Sequence, residues 1–326
     1  MMASATLAND NRPSFSLIIP VFNRAQTLPR LFASLAALRY PLLEVILVDN
    51  LSTDDSYERC FRFQKEQAAR GGFPVILEQE SRKGACACRN RGVSRATGDF
   101  LFFFDSDDAI SADYFETIAP QLAAVDLICT PTTLVLADGT RRTKTFVASG
   151  APYDQILAAS LSTQAFTVRT AFLKQAGLWD ENLMRWNDWE LGIRLLCARP
   201  RWKWLTERPF HQIYQHAESI SGKSFHADEA VLLQSLKQVE RDIENSPLPL
   251  PVKMKSRHAL YAKCLLLQGH IYKEGEKPSD ILRQFAHDLH PHGLFKLCAA
   301  LILVLDRHRC PGAWRAYLWL TRHLAR

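Results

Sequence analysis

Asp105-Ser106-Asp107-Asp108 follows directly on Phe100–Phe104, the most apolar strand candidate in this 326-residue chain. Carboxylates alternating at the end of a buried strand can hold a divalent cation from one side. Mg²⁺ keeps several waters and takes one or two carboxylates together with substrate phosphate oxygens. Such a site suits a nucleotide diphosphate, whose leaving charge needs neutralising. The same four residues also read as an aspartate-rich turn capping the next helix, so their neighbours decide. Asp49 ends a second apolar run, Glu44–Val48, where its carboxylate can accept hydrogen bonds from a base or a ribose. Lys83 and Arg89 precede or lie in the helical stretch that leads to the aspartates, as cations placed to face phosphate. Arg91 and Arg95, further along that stretch, read as a solvated face, and Asp54 as the cap of the helix after Asp49.

The elements that must position these groups are legible in the hydrophobic pattern. Phe15–Pro20, Glu44–Val48, Pro74–Leu77 and Phe100–Phe104 are short apolar runs, separated by helical patterns over Thr27–Leu38, the polar stretch before Gly71-Gly72, and Arg89–Ala96. Runs apolar on every residue suit strands covered on both faces, as in a parallel sheet flanked by helices. Strand and helix alternating at this spacing predict a doubly wound α/β domain. In such sheets ligands sit beyond the carboxyl ends of the strands, which selects Val21–Arg24, Asp49 and Asp105–Asp108. No GxGxxG follows the first strand, which disfavours a dinucleotide dehydrogenase, and no GxxxxGK[ST] is present. Further on, 126–131 and 132–136 are expected as strands with an Asp138-Gly139 hairpin turn. Asn187–Ala198 is expected as a helix with Trp189, Ile193 and Leu196 on one face. The run SPLPLPV at 246–252 is the sharpest break, and the pattern beyond it is almost wholly helical.

Composition bounds the function class. With 47% hydrophobic and 23% charged residues the chain has ordinary globular usage, which excludes disordered and fibrous classes. Eight cysteines are too sparse for a disulfide scaffold and contain no CxxC pair, so reduced thiols and a cytosolic chain are expected. No secretory signal is visible. Net charge is +6, and it is unevenly placed: residues 251–326 hold 13 Lys or Arg against 5 Asp or Glu, with seven of the ten histidines. A basic tail points to an anionic partner, nucleic acid or a membrane surface, or else to a solvated basic face.

Several segments, in order and spacing, resemble the family 2 glycosyltransferases, which have the GT-A fold: SLIIPVFNR (16–24), EVILVDNLSTDDS (44–56), KGACACRNRGVSRATGDFLFFFDSDD (83–108), GLWDENLMRWNDWELGIRLL (177–196) and, less closely, YQHAESIS (214–221). The resemblance spans residues 15–221. It implies a GT-A catalytic domain over 1–222, Rossmann-like, with a basic, mainly helical C-terminal region over 223–326. It also implies inverting transfer of a sugar from a nucleotide-diphosphate donor, usually UDP-linked, with Mg²⁺ or Mn²⁺, to a glycan or lipid-linked acceptor. No nucleic-acid partner is then expected. By position, Pro20, Phe22 and Asn23 would line the base pocket and Asp49 would contact the uracil. Lys83 and Arg89 would lie toward the nucleotide. Asp105 and Asp107 would serve ribose and metal, with Asp107 the direct ligand. His216 matches a position that completes the metal or diphosphate site in some relatives, though a lone histidine is as readily structural.

Asp188 matches the family's catalytic base, where inversion needs a carboxylate opposite the leaving diphosphate. Glu190 and Glu181 stay open as alternatives, and Trp186 and Trp189 as stacking partners for sugar rings, although Trp189 lies on the face expected to be buried. Three positions depart from the family pattern: Asn50 replaces the second acid after strand two, Phe22 replaces a tyrosine, and Asn187 replaces an acid. Two competing functions remain, a sugar-nucleotide pyrophosphorylase and a non-catalytic binding protein on the same fold. The first lacks a glycine-rich basic loop after strand one, and the joint presence of Asp107 and Asp188 disfavours the second. Residues 293–326, with twelve residues Leu294–Leu305 apolar but for Lys296 and then Trp314, Arg315, Tyr317, Arg322 and Arg326, are expected to lie peripherally on the inner face of the cell membrane, to pack as core helices or to form a dimer interface.

Overall fold

The computed structural model describes residues 12–41, 43–144, 149–206, 208–215 and 224–325. Its elements in chain order are β1 (Phe15–Val21), α1 (Leu28–Ala36), β2 (Leu43–Asp49), α2 (Ser56–Ala69), β3 (Val75–Gln79), α3 (Ala85–Arg95), β4 (Phe100–Phe103), β5 (Ala109–Ile110), α4 (Tyr114–Ile118), β6 (Leu127–Cys129), β7 (Thr132–Val135) and β8 (Arg141–Lys144). They continue with α5 (Pro152–Ala158), β9 (Phe166–Arg169), α6 (Thr170–Ala176), α7 (Asn187–Cys197), β10 (Trp202–Trp204), β11 (His211–Tyr214), α8 (Glu229–Asn245), α9 (Leu250–Lys273), α10 (Asp280–Asp288), α11 (Gly293–Arg307) and α12 (Ala313–Leu324).

The uninterrupted apolar runs have a direct cause. Leu17, Ile19, Val45, Leu47 and Phe102 point to one side of the sheet, against α1, α2 and α4. Their alternates Ile18, Ile46, Val48, Leu101 and Phe103 point to the other, against α3, α6 and α7. Both faces are therefore dry. The main sheet runs β10-β6-β9-β4-β1-β2-β3. Strands β1, β2, β3 and β4 pair in parallel, but β9 inserts antiparallel between β4 and β6, so the sheet is mixed where a parallel one was expected. Phe166–Arg169 is a short strand with no run of its own, which hides it in the sequence. A second sheet, β5-β11-β7-β8, contains the hairpin expected at Asp138-Gly139.

Helix α3 lies unusually close to β1. A Cβ at Gly92 would stand 2.3 Å from Ile18 Cγ2, so a larger residue there would lift the helix and everything it carries. Arg89, one turn earlier, is set at its depth by this contact.

The C-terminal helices share a core with α5 and α7. Trp189, Ile193 and Cys197 of α7 and Ile156 of α5 join Leu232, Leu236, Leu260, Leu267, Phe295 and Tyr317 in one buried cluster. The Trp189 indole N–H donates to the Ile156 carbonyl at 3.0 Å. Arg322 donates twice to the buried Asp154 carboxylate, at 2.9 and 2.7 Å. Each large side chain buried this way contributes about 1.5–3 kcal/mol. The SPLPLPV run turns α8 into α9 within this helical region, with Pro251 in the first turn of α9, where its missing N–H costs nothing.

Helix α12 packs through Tyr317, which is fully buried with its hydroxyl donating to Ala299, and exposed Arg322 is engaged with Asp154. Helix α11 does show an apolar face. Leu294, Leu297, Leu301, Val304 and Leu305 are 47–71% exposed, while Phe295 and Ala299 on the opposite side are buried. Among the described residues no helix is long and apolar enough to cross a membrane.

Candidate active site

The register sets the site. Val21 pairs with Asp49 and Ile18 with Phe103, so Phe22–Arg24, Asp49 and Asp105–Asp108 all leave the sheet at one edge. The aspartate loop is braced from three directions. From α1 and the turn before it, Thr27 Oγ1 donates to the Ser106 carbonyl at 3.3 Å and Arg30 to the Asp107 carbonyl at 2.7 Å. Gln164, just before β9, donates to Asp105 Oδ2 at 2.8 Å and to Asp108 Oδ2 at 2.6 Å. From β11, the Tyr214 amide donates to Asp108 Oδ1 at 2.8 Å. Nothing in the sequence marks Gln164, a single glutamine in an irregular stretch.

Three carboxyl groups in four residues repel one another. Burial, reinforced by Asp105 and Asp107, pushes Asp108 up to about 9. Burial also raises Asp105, against the pull of Arg89 and with the push of Asp107 and Asp188. Asp188 is thus an electrostatic neighbour of the aspartate loop. Arg89 is itself buried, donates to Asp105 Oδ1 at 2.8 Å and lies 4.3 Å over the Trp179 ring. It is an internal counter-charge to Asp105 rather than a surface cation, and its Nε and Nη1 are buried without hydrogen-bond partners.

Past the end of β1, Asn23 sits at φ +50°, a conformation asparagine tolerates better than most residues, and its Oδ1 accepts from the Thr53 amide at 2.8 Å. Pro20, next to last in β1, lies opposite Val48, and Phe22 just past the strand is 53% exposed. Asp49 is fully buried. Its Oδ2 accepts from the Ser52 amide at 3.1 Å, while Oδ1 has no hydrogen-bond partner. A buried acceptor left open is costly, and a base N–H would satisfy it. Asn50 has a structural reason to replace an acid. Its Nδ2 donates to the Glu80 and Arg82 carbonyls at 2.7 and 2.8 Å, and its Oδ1 accepts from the Gly84 amide at 2.8 Å. An aspartate could not make the two donations. This staple holds the loop that carries the exposed Lys83.

Asp188 stands in the first turn of α7, half-buried, with Oδ1 accepting from the Trp189 amide at 2.8 Å. The alternative carboxylates are engaged elsewhere. Glu190 is fully buried and bonded to Arg194 at 2.6 Å; burial pushes it up to about 7, and Asp242 from α8 shares its surroundings. Glu181 pairs with Arg82 at 2.6 Å and accepts from Asn90 at 2.8 Å. Trp189 belongs to the C-terminal core and is no partner for a sugar ring; Trp186 is half-buried beside it, 5.2 Å between ring centroids.

The donor set fits a hard divalent cation. Asp105 and Asp107 offer oxygen ligands at the edge where a diphosphate would lie, and the raised proton affinity of Asp105 is relieved by positive charge. Asp107 also stands 3.5 Å from Arg24 Nε. Among the described residues no group of three or more His, Cys, Asp or Glu side chains is arranged to hold a metal. His216 lies outside the described residues.

This geometry has relatives. The profile of Glycosyl transferase family 2 matches residues 16–173. A PGL/p-HBAD biosynthesis glycosyltransferase of Mycobacterium bovis is 30% identical over 56% of this chain and 69% of its own length. Glycosyltransferase GlyG of Streptococcus pneumoniae is 32% identical over 34% of this chain and 36% of its own, so the match spans about a third of that relative. Among solved structures, S. aureus TarS 1-349 in complex with UDP-GlcNAc superposes with a TM-score of 0.63 at 18% identity, over 95% of this chain and 90% of that one. A mannosyltransferase from Pyrobaculum calidifontis, solved with GDP-Man and Mn²⁺, gives 0.57 at 18% identity over 96% and 87%. The fold is thus of the GT-A type, with a helical C-terminal region over α8–α12, and the chain belongs to glycosyltransferase family 2.

Proposed function

We propose that this chain transfers a sugar, with inversion, from a UDP-linked donor to a glycan or a lipid-linked acceptor. The observation that carries the reading is the braced Asp105–Asp108 loop, within electrostatic reach of Asp188 and on the sheet edge that bears the open Asp49 acceptor. Pro20, Phe22 and Asn23 hold the base, with Asp49 accepting from it. Lys83 faces the phosphates. Asp105, kept in place by Arg89 and Gln164, serves the ribose and the cation, and Asp107 is the direct metal ligand. Mg²⁺ or Mn²⁺, when bound, neutralises charge on the leaving diphosphate. Asp188 accepts the proton of the acceptor hydroxyl as that oxygen bonds to the anomeric carbon and the bond to the diphosphate breaks. Thermal shift against UDP-, GDP- and dTDP-sugars with and without Mn²⁺ tests the donor. A ligand at one hundred times its Kd adds about 2.7 kcal/mol of stability, so UDP-sugars with Mn²⁺ should raise the melting temperature most. Equal response to all three nucleotides, or none, rejects the donor assignment.

The reading places the enzyme in the cytoplasm, peripheral at the inner face of the membrane through α11. Five exposed aliphatic side chains on one face form the kind of patch that needs a cover. Residues 293–326 hold six Lys or Arg and one Asp, a balance that suits anionic lipid. Removing the tail would strip Phe295 and Tyr317 from the core, so point changes are the cleaner test. The protein should float with anionic vesicles at low salt, and Leu297→Glu with Leu301→Glu should leave it at the bottom of the gradient. Flotation that ignores both changes rules out α11 as the anchor.

A further inference from the structure

The loop after β1 is fixed through its backbone. The Asn23 amide donates to Ser52 Oγ at 3.1 Å, the Arg24 amide to Ser56 Oγ at 2.7 Å and the Ala25 amide to Asp54 Oδ2 at 3.1 Å. The Arg24 carbonyl accepts from the Thr27 and Leu28 amides at 2.9 and 3.0 Å, where α1 begins. None of these bonds uses the Arg24 side chain, which crosses instead to the aspartate loop. Its Nη1 donates to the Asn23 carbonyl at 3.4 Å, and its Nε lies 3.5 Å from Asp107 Oδ2. The Arg24 side chain is 29% exposed and that of Asp107 16%, so the pair meets at the open edge of the site, partly shielded from water. The neighbouring cations serve other groups. Arg89 holds Asp105, while Arg30 donates to the Asp107 carbonyl and lies 3.7 Å over the Tyr214 ring. Arg24 thus stands against the carboxylate proposed as the direct metal ligand. A guanidinium and a divalent ion at one carboxylate repel each other, so the second must disturb the first.

We propose that Arg24 is the resident counter-ion of Asp107, displaced when a divalent cation binds, and that the donor's diphosphate favours the exchange by offering the guanidinium a new partner. The inference rests on the metal reading above and adds to it a residue that sets how metal and donor help each other. With its backbone pinned, Arg24 changes partner by side-chain rotation alone, at the edge where Phe22–Arg24 and Asp105–Asp108 leave the sheet together. Metal and donor then bind with positive coupling, each raising the affinity of the other by the same factor. Part of that factor belongs to Arg24.

The test reads Mn²⁺ binding rather than turnover. The full chain is titrated with Mn²⁺ by calorimetry, alone and with saturating UDP, after correction for Mn²⁺ held by UDP in solution. Without UDP, Arg24→Gln should bind Mn²⁺ about two- to fivefold more tightly than the unaltered protein, the range for removing a partly exposed ion pair. The gain in Mn²⁺ affinity brought by UDP should shrink in the variant by at least about twofold. Arg24→Lys keeps the charge and should bind Mn²⁺ like the unaltered protein. Unchanged or weaker Mn²⁺ binding in Arg24→Gln overturns the inference. So does equal tightening in Arg24→Gln and Arg24→Lys, or an undiminished effect of UDP. Asp107→Asn separates this inference from the metal reading. If that variant binds Mn²⁺ normally, the ligand assignment falls and the role of Arg24 falls with it. If it loses Mn²⁺ while Arg24→Gln changes nothing, the ligand stands and the role of Arg24 alone is rejected.

Discussion

Asp188→Asn is expected to keep donor binding and to lower sugar transfer by about 10²–10⁴, the usual contribution of a positioned general base. The substitution is well controlled. Asn Oδ1 can still accept from the Trp189 amide, so the start of α7 is preserved. Glu190 cannot take over, because it is fully buried and held by Arg194. The measurement is UDP release and product formation under saturating donor, alongside the donor-induced thermal shift. Near-normal turnover in Asp188→Asn, with Glu181→Gln inactive, would move the base to Glu181.

The second large effect is at Asp107. Asp107→Asn is expected to lower metal-dependent turnover at least about a hundredfold, since charge stabilisation by a bound cation is worth several kcal/mol. The fold should be unaffected, because the loop is held through the backbone carbonyls of Ser106 and Asp107 by Thr27 and Arg30 rather than through the Asp107 side chain alone. Titration of Mn²⁺ against UDP release reads the effect. Wild-type-like rates in the variant, or full activity of the unaltered protein in excess chelator, would show that Asp107 is not a metal ligand.

How much of this was readable from the residues follows from the physics of each element. Strands β1, β2 and β4 announce themselves because both faces are dry, so all positions but Ser16, Glu44 and Asp49 are apolar. The aspartates stand out because charge ends such a run abruptly. Strand β9 does not, since four residues leave no period to detect, and of the second sheet only β7 and the Asp138-Gly139 turn after it were readable. Gln164 was invisible for a related reason: its importance comes from bridging two carboxyl groups that only the folded chain brings together. Tyr317 shows the converse. An aromatic beside a charged residue looks like a ligand platform or an interfacial anchor until the helix that covers it is seen. Asn50, which looks like a loss when set beside an acidic pair, becomes intelligible once its two donated bonds are counted.

The shared core of α7 with α8–α12 bears on how the protein is made. Synthesis proceeds from the N-terminus, so the aspartate loop and the strands behind it are complete long before Phe295 and Tyr317 leave the ribosome. Until then Trp189, Ile193 and Cys197 have nothing to pack against, and the helix that presents Asp188 has an uncovered apolar side. Residues translated late therefore finish the support of the residue proposed for the chemical step. A chain cut short by premature termination carries an intact nucleotide edge but an unsupported base.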